Sequence, residues 1–228
     1  MARMTRIMRS SLEYYARSEL DEPLSGELWG RRYDGTSVRL EDPDEGVRVL
    51  MEELSEASGV RRRIAVLDLT FAAPKSVSVR WGLGAASDAT QIETAHRESV
   101  ARALWYLRTT DLGKLDHQSN PHGVLGLAYV AFTHRLSRDG DPHLHDHVVV
   151  MNAARFEELG MRTLDLARVA SVLPMLEVVY RAELQRSLRR ELGIELVGRQ
   201  LGSLQIMGQS EALTTAFSSR REAIMSAS

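Results

Sequence analysis

Four of the chain's seven histidines, His134, His143, His145 and His147, fall in one short stretch that runs on into Val148-Val149-Val150. Imidazole is a common ligand for divalent metals near neutral pH. His145 and His147 are two apart in a run that reads as a strand, so both rings point to one face, roughly 6–7 Å apart along it. Asp139-Gly140 is a two-residue hairpin signal between extended segments, and a turn centred there sets His134 opposite His145. Local geometry alone then brings three rings towards one point of a sheet face. Isolated histidines are more often satisfied or solvent-facing than ligating; the hairpin is what distinguishes these three. His143 shares their face but sits nearer the turn, where a fourth ligand, a phosphate contact and an exposed ring are all open readings.

Three neutral imidazoles leave a bound metal its full charge and open coordination positions, which suits polarising a phosphate oxygen in a displacement reaction. The nucleophile must come from elsewhere. Cysteine is absent, and no serine lies in a nucleophile-elbow sequence. Tyr14-Tyr15 is an adjacent pair among six tyrosines, on an expected helix near the N-terminus. Its plain reading is one core-facing and one exposed aromatic; its chemical reading is a phenol able to form a covalent intermediate. Asp68 interrupts an apolar strand. It is either a strand-edge carboxylate in water or a buried one needing a partner, and a metal-bound histidine commonly supplies that partner through its second ring nitrogen.

The elements that must position these groups are legible in part. A serine-capped helix is expected over Arg9–Leu20, then loop from about 21 to 45 with a brief ordered stretch at Glu27–Gly30, then a helix over Asp44–Ala57. Ile64–Phe71 reads as a strand closed by Ala73-Pro74, and Ser76–Leu83 as a helix or a strand extension. Thr90–Arg108 has helical periodicity. Residues 111–123 are turn-rich; Val124–His134 and His143–Asn152 form the hairpin; Arg162–Asp165 is an edge strand or turn. Met175–Leu192 is an amphipathic helix ending at Gly193, and a short helix near Ser210–Met225 follows.

At 228 residues and a net charge of −2, the chain has the size and balance of one domain with a single large core. The charge does not advertise nucleic-acid binding, which then rests on local clusters such as Arg31-Arg32, Arg61-Arg62-Arg63 and Arg186 with Arg189-Arg190. Disulfides and thiolate metal sites are excluded. No apolar run reaches membrane-spanning length and no secretory signal is visible, so a cytoplasmic location is expected. Only Lys75 and Lys114 are lysines among the cations, a weak sign that position 75 resists exchange with arginine. No phosphate-binding loop of the triphosphatase type occurs.

Three blocks carry a family resemblance. Tyr14-Tyr15, Leu67-Asp68-Leu69-Thr70-Phe71-Ala72-Ala73-Pro74-Lys75-Ser76-Val77-Ser78, and His134 with Ser137 through Val149 resemble the relaxase domain of conjugative transfer proteins of the MobF class. That class belongs to the wider endonuclease family with a His-hydrophobe-His motif. The resemblance implies an α+β fold, a central antiparallel sheet flanked by helices, as in relaxases and rolling-circle initiators. It implies one relaxase domain over residues 1–228, short of the family's distal DNA-clasping segment. It implies that His134, His145 and His147 hold a divalent metal, Mg²⁺ or Mn²⁺ before Zn²⁺ or others, and that Asp68 orients the site and helps activate the phenol. Tyr14 would be the nucleophile and Tyr15 the second choice. The implied activity is nicking and strand transfer on single-stranded DNA from a transfer origin, through a 5′-phosphotyrosyl link, with other transfer proteins as further partners. A rolling-circle replication initiator, a binding-only DNA module and a small-substrate metallohydrolase are the rival readings. The chain departs from many relatives in lacking a second tyrosine pair; Tyr33 stands alone.

Overall fold

The computed structural model describes residues 2–7, 28–40, 43–57, 65–110, 112, 123–157, 159–198 and 203–218. The expected N-terminal helix with Tyr14 and Tyr15, and most of 111–123, lie outside them.

The β-branched and apolar run at Val66–Ala72 forms strand β4 at the heart of an antiparallel sheet. Its order is β1 (Arg3–Ile7), β4, β6 (Pro142–Phe156), β5 (Val124–Leu136), β2 (Leu28–Arg31), β3 (Ser37–Leu40). Strand β7 (Gly160–Arg162) pairs with the far end of β6. The α+β architecture expected from the resemblance is therefore present.

Alternation along the central strands sorts side chains onto two faces. Leu67, Leu69, Phe71, Leu144, Val148 and Val150 join one buried cluster with Ile92, Leu104, Leu176 and Leu184. That face packs under α2 (Lys75–Leu83), α3 (Ala86–Thr109) and α4 (Leu166–Leu192). Val66, Val130, Phe132, Val149 and Met151 point the other way, into a smaller cluster with Val49 and Leu50 of α1 (Pro43–Glu56). Helix α1 covers only part of this second face. His134, His145 and His147 lie on this second face, beyond Phe132 and Val149, and are half-buried among the described residues.

Three expectations need correction. Residues 28–40 are not loop but the β2–β3 hairpin, turning at Asp34 and Gly35 (φ 90°). The ordered stretch expected to end at Gly30 continues as a strand, and a glycine is required there: a Cβ on Gly30 would stand 2.2 Å from the Tyr129 carbonyl oxygen of β5. Helix α4 begins at Leu166, not Met175, and carries Pro174 inside it. Asp165 caps its start by accepting from the Ala167 and Arg168 N–H groups. The closing helix expected near Ser210–Met225 is the short α5, Glu211–Ala216, which ends at its cap Phe217; residues 219–225 lie outside the described residues. Between α4 and α5 a small ribbon pairs β8 (Leu196–Gly198) with β9 (Leu204–Ile206).

Candidate metal centre

The β5–β6 hairpin builds the site, and it does so through two irregularities that cancel. The turn is not the two-residue one expected. The Ser137 N–H donates to the Asp141 carbonyl and the Gly140 N–H to the Ser137 carbonyl, giving a loop of Arg138, Asp139 and Gly140, with Gly140 in the left-handed region at φ 78°. That loop sets Leu136 opposite Pro142. Continued regularly, the same count would set His134 opposite Leu144, a side chain of the helix-covered face. Instead the register shifts between Leu136 and His134, so that two β6 residues, His143 and Leu144, oppose the single β5 residue Arg135. His134 then lies opposite His145, and Phe132 opposite His147.

The three rings therefore converge on one face. Ring centroids stand 5.2 Å apart for His134 and His145, 5.2 Å for His134 and His147, and 5.3 Å for His145 and His147. Three imidazoles on one ion, with metal–nitrogen bonds of about 2.1 Å and tetrahedral angles, would have centroids about 5.2 Å apart, so the spacing fits the donor set. As the side chains stand, no three His, Asp or Glu donors among the described residues are already closed around one point. The backbone sets the spacing, and rotation of the rings must complete the closure.

Their tautomers follow from hydrogen bonds. His147 Nδ1 lies 2.8 Å from Asp68 Oδ2, and His145 Nδ1 lies 2.7 Å from the His143 carbonyl oxygen. A carbonyl only accepts, so His145 Nδ1 carries the proton, and the Asp68 carboxylate favours the same form of His147. Both Nε2 lone pairs remain for a ligand. Asp68 is buried, at 6% exposure, which settles its alternatives in favour of a partnered carboxylate. It lies on β4 opposite Thr5 and one step diagonal to His147. Burial pulls His134 down to about 4, with the charge of His147 adding to it; burial likewise pulls His145 down to about 3, helped by His143. Both rings are held neutral, the form that ligates.

His143 is half-buried, with its ring 4.5 Å from that of His145 and tilted by 30°. It is thus a neighbour of the trio and not a free surface ring. Lys75 donates to the Pro142 carbonyl at 2.9 Å, and burial lowers its pKa against the opposing pull of Asp141.

Directly behind the site lies a group that the sequence reading missed. Asp146, between His145 and His147 but on the opposite face, is fully buried and faces His96 of α3, which in turn meets Tyr180 of α4. His96 Nδ1 is 2.8 Å from the Tyr180 hydroxyl, and its Nε2 is 3.3 Å from Asp146 Oδ1. Burial opposes the charge on Asp146, yet the His96 ring and the Thr133 hydroxyl hold its carboxyl below the usual range. Burial first, then Asp146, pushes the Tyr180 phenol well above its ordinary value. The signal was available: with period two, an aspartate between two histidines of one face points to the opposite, buried face and must find a partner there.

In the described basic clusters the arginines have partners within the chain: Arg31 donates to the Gly35 carbonyl, and the others pair with carboxylates. Arg32 pairs with Glu52 and Glu53, Arg186 with Glu183, Arg189 with Glu195 and Arg190 with Glu191. Arg61–Arg63 lie outside the described residues. No helix among the described residues is long and apolar enough to cross a membrane.

With this geometry in place, known proteins can be compared. The TrwC relaxase family model matches residues 10–228. The chain is 40% identical over 90 residues to the multifunctional conjugation protein TraI of Escherichia coli, and 36% identical over 99 residues to that of strain K12. These stretches cover 39% and 42% of the chain but only 5% and 6% of the two TraI proteins, so the chain spans a small part of the curated relatives it matches. Among solved structures, the metal-bound conjugative relaxase TrwC in complex with oriT DNA is similar, with a TM-score of 0.79 and 26% identity. That match covers 99% of this chain and 82% of the other. A copper-bound TrwC complex with oriT DNA matches with the same TM-score at 25% identity and the same coverages. The family match spans both the tyrosine pair and the three-histidine hairpin, and the chain belongs to the TrwC relaxase family.

Proposed function

We propose that this chain nicks one DNA strand at a transfer origin and keeps the cut end joined to a tyrosine, in a bacterial cytoplasm and as a single domain. The observation that carries the reading is the convergence of His134, His145 and His147 on one sheet face, with His147 turned by Asp68, in a chain of the TrwC relaxase family. The similar TrwC structures contain oriT DNA and, in two of them, a metal, which supports a divalent metal and DNA as what this site meets.

A divalent ion held by the three Nε2 atoms, Mg²⁺ or Mn²⁺ before Zn²⁺, would polarise a phosphate oxygen and offset charge developing on it. Asp68 keeps His147 in the ligating tautomer. Tyr14, with Tyr15 the second choice, supplies a phenol oxygen that bonds to phosphorus as its proton passes to Asp68, directly or through water, and on to solvent. The bond from phosphorus to the 3′ oxygen breaks, and that oxygen takes up a proton to leave as a hydroxyl. One phosphodiester replaces another, so the free energy of the bond is retained and the strand can be rejoined or transferred. Neutral His134 and His145 add no proton competition near pH 7, because burial keeps both rings unprotonated.

The test is a denaturing gel of the protein with end-labelled single strands from a transfer origin and Mn²⁺. The downstream fragment, labelled at its 3′ end and carrying the protein on its 5′ phosphate, is expected from the wild type. It should vanish in the Tyr14→Phe, Tyr15→Phe double variant and drop at least a hundredfold in His147→Ala. Adduct from the double variant would remove both tyrosines from the role. Tight DNA binding with no cleavage at any metal concentration would leave a binding module in place of the enzyme. Cleavage only at a replication origin would favour the rolling-circle reading.

A further inference from the structure

The bulge that brings His134 into phase is gripped from outside the hairpin. At Ala73 the sheet ends, because Pro74 turns the chain into α2. The Ala73 N–H still donates to the Leu144 carbonyl at 3.0 Å. The Leu144 N–H, inside the bulge, donates to the Ser78 hydroxyl at 3.1 Å. Ser78 is fully buried, so that hydroxyl stands in for the strand carbonyl that a continued ladder would have offered. One turn earlier on α2, Lys75 reaches the Pro142 carbonyl at the other end of the bulge. Gly82 lets the same helix lie against the hairpin: a Cβ there would meet Pro142 Cγ at 2.9 Å. From β5, Arg135, the residue opposite the bulge, forms a two-pronged pair with Glu93 of α3 at 2.8 and 3.0 Å. Glu93 also accepts from the Trp81 indole of α2 at 2.9 Å.

We propose that Ser78 and Lys75 are positioning residues for the histidine trio, holding the β6 bulge at His143–Leu144 and through it the phase that sets His134 against His145. The proposal rests on the metal reading above and gives the block Lys75-Ser76-Val77-Ser78 a task that reading left unassigned. A hairpin without the bulge satisfies its own backbone just as well. It differs by one residue, and one residue turns His134 from the ligand face to the helix face. Ser78 and Lys75 act on the main chain of β6, touch none of the three rings' ligating nitrogens, and select between two registers the hairpin alone does not distinguish.

Co²⁺ titration by visible absorption, together with amide hydrogen exchange of the metal-free protein, tests this. Ser78→Ala and Lys75→Met should each weaken Co²⁺ binding about ten- to a hundredfold, the usual range for groups that orient ligands. They should also speed exchange of the Leu144 amide at least tenfold relative to amides in α3. Val77→Ala, a core truncation between them, should lower overall stability while leaving Co²⁺ affinity within twofold. If Ser78→Ala does not fold, Lys75→Met carries the test, since its ammonium is only partly buried. Unchanged Co²⁺ affinity in folded variants, or an equal loss in Val77→Ala, overturns the proposal. If wild-type protein shows no Co²⁺ binding that His147→Ala abolishes, the metal reading fails instead. The clamp is then judged by Leu144 exchange alone, and unchanged exchange in both variants overturns it.

Discussion

At the scale of single residues, the site is a problem of keeping rings neutral and pointed. Asp68 does the pointing for His147, and the His143 carbonyl does it for His145. Asp68→Asn removes the charge that favours Nδ1–H on His147. Metal affinity should fall about ten- to a hundredfold with little change in fold, read by isothermal titration with Mn²⁺. Neutrality has a measurable signature in the metal-free protein. The folded-state values of about 4 for His134 and about 3 for His145 lie below the ordinary 6.5. Between these values the unfolded chain holds protons that the folded chain does not, so stability is fully present above pH 6.5 and declines as pH falls towards 4. Urea unfolding from pH 7.5 to 5 should show this decline. It should be shallower in a His134→Gln, His145→Gln variant, and an equal slope in that variant would refute the assignment.

At the scale of elements, much was legible and the rest was hidden for identifiable reasons. The alternation at His145 and His147 fixed a common face, and a turn near Asp139-Gly140 brought His134 to them. The bulge was not legible, because it depends on a serine hydroxyl and a lysine from another element. The guessed register was right although the guessed turn was wrong: a loop one residue longer is undone by one extra residue in β6. The β2–β3 hairpin was missed because its strands are short and Gly30 looks like a loop residue until Tyr129 is seen against it. Asp146 was not legible as a core group because its partners, His96 and Tyr180, lie on helices far away in sequence. Pro174 hid the first turns of α4. A proline inside a helix forfeits a backbone hydrogen bond, so Pro174→Ala should raise stability by roughly 1–3 kcal/mol in chemical denaturation and leave metal affinity unchanged.

At the scale of the whole molecule, the sheet divides labour between its faces. One is sealed beneath α2, α3 and α4, with the His96–Asp146–Tyr180 group built into the seal. The other is covered by α1 over part of its extent and presents the three rings at the remainder. The three rings are therefore mounted on central strands of the most buried part of the fold, which suits the proposed metal site. A ligand that binds only the folded state stabilises it, so Mn²⁺ at a hundred times its dissociation constant should add about 2.7 kcal/mol and raise the melting temperature by a few degrees. His147→Ala should abolish that rise in a thermal scan.

The central claim is that one ion is held by three imidazoles, and anomalous diffraction from crystals loaded with Mn²⁺ tests it most directly. The account predicts a single strong peak about 2.1–2.2 Å from the Nε2 atoms of His134, His145 and His147 together, with Asp68 still on His147 Nδ1. A peak bound by other side chains, or none between these three rings at saturating metal, would contradict it.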